Sequence, residues 1–288
     1  MRLRVVSWNI ENLARWLGDD GPQLRDHLAP LGTPDVLCLQ EVRIRPQDAE
    51  LVVRMHAALP GYACHAALNR DPKNGGFRGG RAYGVASYVR EALGPIALTF
   101  DWDHEGRVVL THLRGAGLTI GNVYAVNGTS RPHWDHDRDA LHGNRHAFKQ
   151  AFIARLGDEL ATLQAHAIPL LLAGDWNVSR TRIDTTPRLR TEEPHATARR
   201  RFNDEFIGGL DFVDVFRERH PDARAYTWCN KRARQLDAAR VDFMLASRAI
   251  DPRVTACGID EDPAARPGTD HAPVWAELDL DAARPGVD

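Results

Sequence analysis

The fold class is decided by residues 169–177, which read PLLLAGDWN. The strand predicted over Pro169–Gly174 shows no alternation of apolar and polar residues, which is typical of a strand covered on both faces. It ends at Asp175, and Asn177 lies just beyond. A covered strand that ends in polar side chains indicates an α/β layer structure with a site at the strand ends.

Similar runs elsewhere in the chain predict further strands, each followed by a polar cluster. These strands are Leu3–Trp8, Val36–Leu39, Ala82–Val89, Arg107–Leu113, Leu118–Val126, Val241–Leu245 and Ala272–Leu280. The clearest helix is predicted over Arg145–His166, where apolar residues recur at spacings of three and four. Shorter helices are predicted over Asp48–Ala58 and Arg199–Ile207.

The chain is predicted to form one layered α/β domain over residues 1–281, because no linker rich in Gly and Ser divides it. Residues 282–288 are predicted to be a disordered tail. The longest strongly apolar run, Ile168–Ala173, is far shorter than a membrane span, so no membrane association is expected. The N-terminus has no long apolar segment and no cleavage site, so no signal peptide is predicted.

The composition is that of a soluble globular protein, with 43% hydrophobic and 26% charged residues in a chain of 288. Its four cysteines form no CxxC pair, which argues against a zinc knuckle. This usage favours a reduced, cytoplasmic setting. In a bacterium we expect the protein at the nucleoid.

Polar side chains collect where the predicted strands end. They are Asn9, Glu11, Glu41, Asp175, Asn177, Asp242, Asp270 and His271. Taken singly, each has an ordinary structural explanation as a turn former, a helix cap or a solvated strand end. Together they carry more weight, because strand ends converge in layered α/β proteins. Oxygen ligands without a Cys and His set favour Mg²⁺ or Mn²⁺ over zinc, and the whole set indicates metal-assisted hydrolysis of a phosphate ester.

Six segments with this chemistry follow one another along the chain. They are Ser7–Leu13 (SWNIENL), Leu39–Val42 (LQEV), Glu105–Val109 (EGRVV), Gly174–Val178 (GDWNV), Arg240–Leu245 (RVDFML) and Thr269–Val274 (TDHAPV). The series resembles the motifs of the endonuclease/exonuclease/phosphatase superfamily, and within it most closely the exonuclease III-type abasic-site endonucleases. Any one motif is weak, but six in order, from Leu3 to about Leu280, are a strong signal.

This resemblance implies a four-layer α/β sandwich of the deoxyribonuclease I kind, in which two packed mixed β-sheets are flanked by helices. It also implies a magnesium site, with Mn²⁺ as a substitute. Glu41 corresponds to the main metal ligand of the family. Asn9, Glu11 and Asp270 correspond to groups on the metal side or groups that hold water.

The resemblance assigns catalytic roles as well. Asp175 corresponds to the base that aligns or deprotonates the attacking water, and Asn177 to the group that orients the phosphate. His271 corresponds to the group that binds the phosphoryl oxygen, held by Asp242. Tyr124 corresponds to the active-site tyrosine of the family. Whether this tyrosine or a water on the metal ion protonates the leaving oxygen is left open by the sequence.

Substrate contacts are implied for a second set of residues. Asn127 corresponds to a phosphate contact, and Arg107 and Lys149 lie in segments that match the family. Trp228 corresponds to an aromatic of the abasic-sugar pocket, although a core position is an equal alternative. The family pattern changes at Val126, where proline is usual, at Cys229–Lys231, which replaces a more aromatic run, and at Ala239, where many members have tryptophan.

The function expected from this resemblance is a Mg²⁺-dependent DNA phosphodiesterase of base-excision repair. It would cleave at abasic sites, trim DNA 3′ ends, or both, acting as a monomer on double-stranded DNA with abasic or 3′-blocked sites. The changed positions favour an alternative, a hydrolase of the same fold that acts on another phosphate ester. A nonspecific deoxyribonuclease or a lipid or inositol phosphatase would be examples. A silent DNA-binding module is the third alternative, against which the complete catalytic set argues.

The charge of the chain bears on the DNA partner. The net charge is −2, yet residues 180–201 and 217–240 each carry +4 and residues 250–288 carry −6. A charged stretch is most often a solvated face, but beside such a site the basic stretches match the footprint of DNA phosphates.

Histidines are also concentrated, at positions His104, His112, His133, His136, His142 and His146. We predict a polar loop beside the site for them, and a metal clip by His133 and His136, or by His142 and His146, as the less favoured alternative.

Overall fold

The structure is a computed structural model that describes residues 1–18, 23–74, 83–187, 193–230, 237–260 and 268–281. The predicted tail at 282–288 lies outside these ranges, as do parts of both basic stretches. Across the described ranges no helix combines the length and hydropathy needed to span a bilayer.

The described residues form strands and helices over most of the chain. The strands are β1 Arg2–Asn9, β2 Val36–Gln40, β3 Tyr62–Ala67, β4 Val85–Arg90, β5 Pro95–Leu98, β6 Val108–Leu113, β7 Leu118–Tyr124, β8 Pro132–Asp135, β9 Ala140–Asn144, β10 Leu170–Asp175, β11 Val213–Asp214, β12 Trp228–Cys229, β13 Ala238–Ala239, β14 Asp242–Ala246, β15 Val254–Ile259 and β16 Val274–Asp279. The α-helices are α1 Ala49–Ala57, α2 Arg145–Ala165, α3 His195–Phe202 and α4 Val215–Arg219, and a π-helical segment, Asn203–Gly209, continues α3.

Two six-stranded sheets form the centre of the molecule. Their strand orders are β15-β16-β1-β2-β4-β3 and β11-β14-β10-β7-β6-β5. Each sheet is mixed, with one parallel pair at its middle, β1 with β2 and β7 with β10, and antiparallel strands around it. Because both strands of a parallel pair end at the same edge, four strand ends meet at one side of the molecule.

The sheets pack face to face through an apolar core. Val5 and Val36 of the first sheet share this core with Ile120 and Leu171 of the second. A polar bridge crosses the same interface, because Gln40 Nε2 donates to Asn122 Oδ1 over 2.8 Å. Gln40 is the last residue of β2, so this bridge fixes the two sheets relative to each other close to the strand ends.

Helical layers cover the outer faces of the sheets. Met55 of α1 packs in the cluster outside the first sheet, and Phe152 and Leu156 of α2 pack in the cluster outside the second. The predicted four-layer sandwich is therefore confirmed.

The predicted elements differ from the structure mainly at their ends and at short strands. The predicted helix Arg199–Ile207 is instead α3 followed by the π-helical segment, which places Phe202 and Phe206 against Trp176. β3, β5 and β15 carry little apolar patterning, so the sequence did not predict them. The histidine-rich loop contains the hairpin β8–β9.

Candidate active site

The predicted catalytic residues gather at the shared strand ends, around a cavity of about 430 Å³. It is lined by Asn9, Glu11, Glu41, Tyr124, Asn127, Lys149, Asp175, Asn177, Trp228, Asp270 and His271, among others. The sheet register brings the groups together, because Asp175 pairs with Tyr124 on one side and with Asp242 on the other. Among the predicted site residues, Asp242 lies behind this lining and Arg107 lies outside it.

Sharp backbone turns follow three of the strands. Glu11, Glu41 and Asn177 have φ angles of 62°, 56° and 52°, the left-handed region that non-glycine residues seldom adopt. Such a conformation costs on the order of 1–2 kcal/mol per residue. Non-glycine residues in this conformation cluster at functional sites, where the surrounding structure holds them.

His271 and Asp242 form a buried pair. His271 Nδ1 lies 2.8 Å from Asp242 Oδ2, and the imidazole side chain is only 10% exposed. Burial lowers the pKa of His271, but the charge of Asp242 and its hydrogen bond outweigh burial and raise the pKa to about 10. The imidazole is therefore a cation at neutral pH, and its Nε2 is available to a phosphoryl oxygen.

Asp175 lies beside this pair and is 1% exposed. It accepts hydrogen bonds from the Asn9 side chain (Nδ2) at 3.0 Å and from the backbone N–H of Asn177 at 2.9 Å. Burial raises its pKa most, the neighbouring charge of Asp242 raises it further, and His271 partly opposes both, so that the pKa is about 7. A carboxyl group with a pKa close to neutrality is suited to take a proton from water.

Glu41 and Glu11 form the acidic side of the cavity. The Tyr124 hydroxyl donates to Glu41 Oε1 at 2.5 Å, and Arg43 Nη2 donates to Glu41 Oε2 at 3.1 Å. Arg43 Nη1 also lies 3.7 Å from Glu11 Oε1. These carboxylates thus already attract a positive charge, and carboxylate oxygens are the ligands that Mg²⁺ prefers.

A second group could also hold a metal ion. Ligand atoms of Asp175, Asp242 and His271 lie within 4.8 Å of one another. Two of these groups are committed to the His271–Asp242 hydrogen bond, and a protonated imidazole is no ligand. The acidic side formed by Glu41 and Glu11 is therefore the better site for a hard cation.

The remaining predicted residues surround the same space. Lys149 Nζ donates to the Asn177 carbonyl at 2.6 Å, and burial lowers the pKa of Lys149 to about 8 although Asp175 opposes this shift. Trp228 Nε1 donates to Asp270 Oδ2 at 3.0 Å. Trp228 lines the cavity and is half-buried, which matches a pocket wall better than a core position. Asn127 is exposed at the rim.

The substrate contact predicted for Arg107 does not match its placement. Arg107 is 1% exposed, and its Nε donates to Glu105 Oε2 at 2.5 Å. Its guanidinium also donates to the Tyr124 carbonyl at 3.0 Å and lies 4.9 Å from the Tyr124 ring centroid. The charge of Arg107 is therefore neutralised by the buried carboxylate of Glu105. Arg107 contacts Tyr124 and does not line the cavity.

We expect Arg107→Ala to lower the free energy of unfolding by about 3–5 kcal/mol, because it removes one partner of a buried ion pair. Urea denaturation followed by circular dichroism measures this change. Arg2→Ala is the control, since the Arg2 side chain is 91% exposed and its removal should cost under about 0.5 kcal/mol. Equal stability of the two variants would contradict the buried role of Arg107.

Several described arginines of the two basic stretches bind acids inside the protein, whereas DNA contacts were predicted for these stretches. Arg240 is fully buried and its guanidinium donates to both Asp184 and Asp214. Arg180 and Arg217 are bound to the same two carboxylates. Much of the described positive charge therefore neutralises buried acids inside the protein, which the net charge of a segment does not reveal.

Two cations of the cavity were not predicted from the sequence. Arg43 lies two residues after Glu41, and that spacing was its only signal. Arg199 on α3 lines the cavity and donates from Nε to the Ser179 carbonyl at 2.5 Å. Arg199 lies in a basic run with Arg200 and Arg201, so the sequence did not single it out.

A buried carboxyl group, a buried imidazole–carboxylate pair and a further acidic side, all at the shared end of two sheets, are the arrangement expected of a metal-assisted hydrolase of phosphate esters. The chain belongs to the endonuclease/exonuclease/phosphatase family, whose profile matches residues 6–271.

Individual relatives are similar over nearly the whole chain. Recombination repair protein 1 of Drosophila melanogaster is 31% identical over 94% of this chain, which spans 36% of that protein. Exodeoxyribonuclease III of Haemophilus influenzae is 26% identical over 96% of this chain and its own full length. The solved structure of a Neisseria 3′ phosphatase with a product DNA hairpin has 25% identity and a TM-score of 0.72, covering 96% of this chain and 99% of its own.

Proposed function

We propose that the protein is a metal-dependent DNA-repair nuclease that cleaves at abasic sites, trims 3′ ends, or both, in base-excision repair. The observation that carries this proposal is the placement of Asp175 between Asn9, Asn177 and the His271–Asp242 pair. The names of the Haemophilus exodeoxyribonuclease III and the Neisseria 3′ phosphatase support it. We further propose that it acts as a monomer in the cytoplasm, at the nucleoid in a bacterium.

Different residues of the site have different roles in the proposed reaction. Asp175 takes a proton from the attacking water, and its hydrogen bonds to Asn9 and Asn177 aim its oxygens. His271, kept charged by Asp242, donates from Nε2 to a phosphoryl oxygen and stabilises the charge that grows there. Lys149 and Asn177 lie together beside Asp175 and supply a further cation and an amide for the phosphate.

The acidic side of the cavity is proposed to hold Mg²⁺, for which Mn²⁺ can substitute. Glu41 would be the main ligand, with Asn9, Glu11 and Asp270 as metal-side groups, and all four line the cavity. The ion would stabilise negative charge on the phosphate. The ion pairs of Arg43 with Glu41 and Glu11 support this proposal, because they place a positive charge beside the same oxygens.

Glu41→Gln should raise the Mg²⁺ concentration needed for half-maximal hydrolysis by about 10-fold or more, because it removes the charge of the main ligand. Titration of Mg²⁺ against the initial rate measures this shift. Glu50→Gln on α1 is the control, since Glu50 is 83% exposed and lies on another surface. An unchanged midpoint in the Glu41 variant would remove Glu41 from the metal site.

Double-stranded DNA with abasic or 3′-blocked sites is the proposed substrate. Three duplexes test this point in Mg²⁺ and in EDTA. One carries a single abasic analogue, one a 3′-phosphate, and one is intact. We expect cleavage or phosphate release only in Mg²⁺ and fastest on the first two. Three uncut duplexes in Mg²⁺ would refute the proposal.

A hydrolase of another phosphate ester is the second candidate. Ala239 lines the cavity where many family members have tryptophan, so this wall leaves room for a different leaving group. A phosphate-release screen on inositol phosphates and lipid headgroups separates the two candidates, because a DNA-repair nuclease should leave these substrates intact.

A further inference from the structure

A second cavity, of about 370 Å³, lies beside the hairpin β8–β9. Four histidines line it, namely His104, His133, His136 and His142. Trp102, Phe148 and Phe152 provide further aromatic walls. A volume of this size is in the range of small-ligand pockets, which hold a few polar groups among mainly apolar walls.

The cavity is chemically suited to a planar, uncharged heteroaromatic ring. His133 stacks on Phe148 with ring centroids 3.8 Å apart, and His104 lies against His136 at 4.2 Å. Burial lowers the pKa of both His104 and His133, which favours the neutral imidazole. A neutral imidazole offers one donor and one acceptor, as the edge of a nucleobase does.

A metal ion fits this cavity less well. Among the residues that the structure describes, three suitable ligand atoms approach one another within 4.8 Å only at Asp175, Asp242 and His271. His136 Nε2 is occupied by Asp71 Oδ2 at 2.9 Å. The metal clip considered for His133 and His136 therefore lacks a ready ligand set.

The second cavity is adjacent to the catalytic cavity. Glu105 lines the second cavity, Tyr124 lines the catalytic cavity, and Arg107 between them contacts both. On α2, Phe148 faces the second cavity and the next residue, Lys149, lines the catalytic one. One layer of side chains thus separates the linings of the two cavities.

Two arginines line the second cavity beside five carboxylates, of which Glu105 is bound by Arg107 and Arg145, and Asp71 by His136. The arginines, Arg138 and Arg155, are 62% and 49% exposed. Their partners Asp135 and Asp137 lie 3.2 Å and 3.5 Å away. Surface ion pairs of this kind contribute little, so a phosphate can compete for the arginines.

We propose that the second cavity binds an unpaired base of the DNA substrate, close to the bond that is cut. A paired base cannot reach it without leaving the stack, so the cavity favours frayed, mismatched or single-stranded ends. This inference extends the proposed nuclease function by naming the form of DNA end that the enzyme prefers.

The test is equilibrium binding to two duplexes in EDTA, where no hydrolysis occurs. One duplex is fully paired, and the other has a short unpaired 3′ extension containing 2-aminopurine. We expect the wild type to bind the extended duplex about 10-fold more tightly, because an unpaired base can stack on the aromatic rings and a paired base cannot. Such stacking tolerates any base. The 2-aminopurine fluorescence should fall on binding.

Ala151→Phe fills the cavity from an exposed helical position and should abolish the preference. Ala161→Phe is the matched control, because Ala161 is an exposed alanine on the same helix outside the cavity lining. His142→Ala, at an exposed position, should also weaken the preference if Ala151→Phe fails to fold.

Equal binding of both duplexes by the wild type would overturn the inference, as would a preference that survives in folded Ala151→Phe. Deoxyadenosine monophosphate in large excess should reduce the preference, because its base competes for the same cavity. Hydrolysis in Mg²⁺ is measured separately. Binding preference without hydrolysis would refute the nuclease function alone, and hydrolysis without preference would refute this inference alone.

Discussion

Asp175→Asn should lower the rate of phosphodiester hydrolysis by about 10²–10⁴-fold, the usual contribution of a general base. The side chains have the same shape, but the amide keeps only one acceptor oxygen. Asp175 accepts from Asn9 Nδ2 on Oδ2 and from the Asn177 backbone N–H on Oδ1, so the variant loses the proton acceptor and one of these two hydrogen bonds. Single-turnover cleavage of the abasic duplex in saturating Mg²⁺ measures the effect on chemistry.

The same substitution should also change how stability depends on pH. Because the pKa of Asp175 is raised by folding, its charged form is less favourable in the folded state than in the unfolded state. Asp175 therefore costs stability as the pH rises from the unfolded pKa of about 3.9 to the folded value of about 7. In EDTA, the melting temperature of the wild type should fall relative to that of Asp175→Asn as the pH rises through this range.

Asp101→Asn is the matched control, since the Asp101 side chain is fully exposed. It should change neither the rate nor the melting temperature. A wild-type rate in Asp175→Asn would show that another group takes the proton. A lost rate together with an unfolded spectrum would assign Asp175 a structural role instead.

The catalytic groups were predictable because apolar runs mark where strands end. β1, β2, β10 and β14 each border a polar cluster, and their pairing brings these clusters together. The sequence pattern indicates directly where each strand ends. The order of the strands in a sheet depends on pairing between segments that are far apart in the sequence. The resemblance to a known family supplied that order, and the register of Asp175 with Tyr124 and Asp242 agrees with it.

Arg107 and the basic stretches show that a sequence pattern does not reveal the partner of a charged side chain. A positive side chain near a phosphate site has the same sequence signal whether it faces DNA or a buried acid. Arg107 is held by Glu105, which also binds Arg145 on a distant helix. Arg240 is held by Asp184 and Asp214, 56 and 26 residues away. Such partners are set by tertiary packing, so only the structure reveals them.

The hairpin β8–β9 illustrates the same limit for a binding site. Its histidines stood out as a cluster in the sequence, but their spacing did not tell a metal clip from a polar loop. Asp71, 65 residues from His136 in sequence, and Phe148 on α2 contact His136 and His133, and only the tertiary structure brings these groups together.

His271→Gln should lower the maximal rate by about 10²–10³-fold, the usual loss when one preorganised donor is removed from a growing negative charge. Its pH dependence is equally diagnostic. The wild-type rate should rise as Asp175 loses its proton near its pKa of about 7, and fall as His271 loses its own near its pKa of about 10. The variant should keep the rise at low pH and lose the fall caused by the imidazole.

Asp242→Asn separates this imidazole from other groups that lose a proton in the alkaline range. Burial lowers the pKa of His271, and the charge of Asp242 and its hydrogen bond make the largest contributions that raise it, with smaller ones from Asp175 and Asp270. Without the charge, the alkaline fall in kcat should move to lower pH. Lys149, with a pKa of about 8, also titrates in this window, but Asp242 is hydrogen-bonded to the imidazole and not to the lysine. An alkaline limb that stays in place in Asp242→Asn would therefore assign it to Lys149, and His271 would then act without its charge.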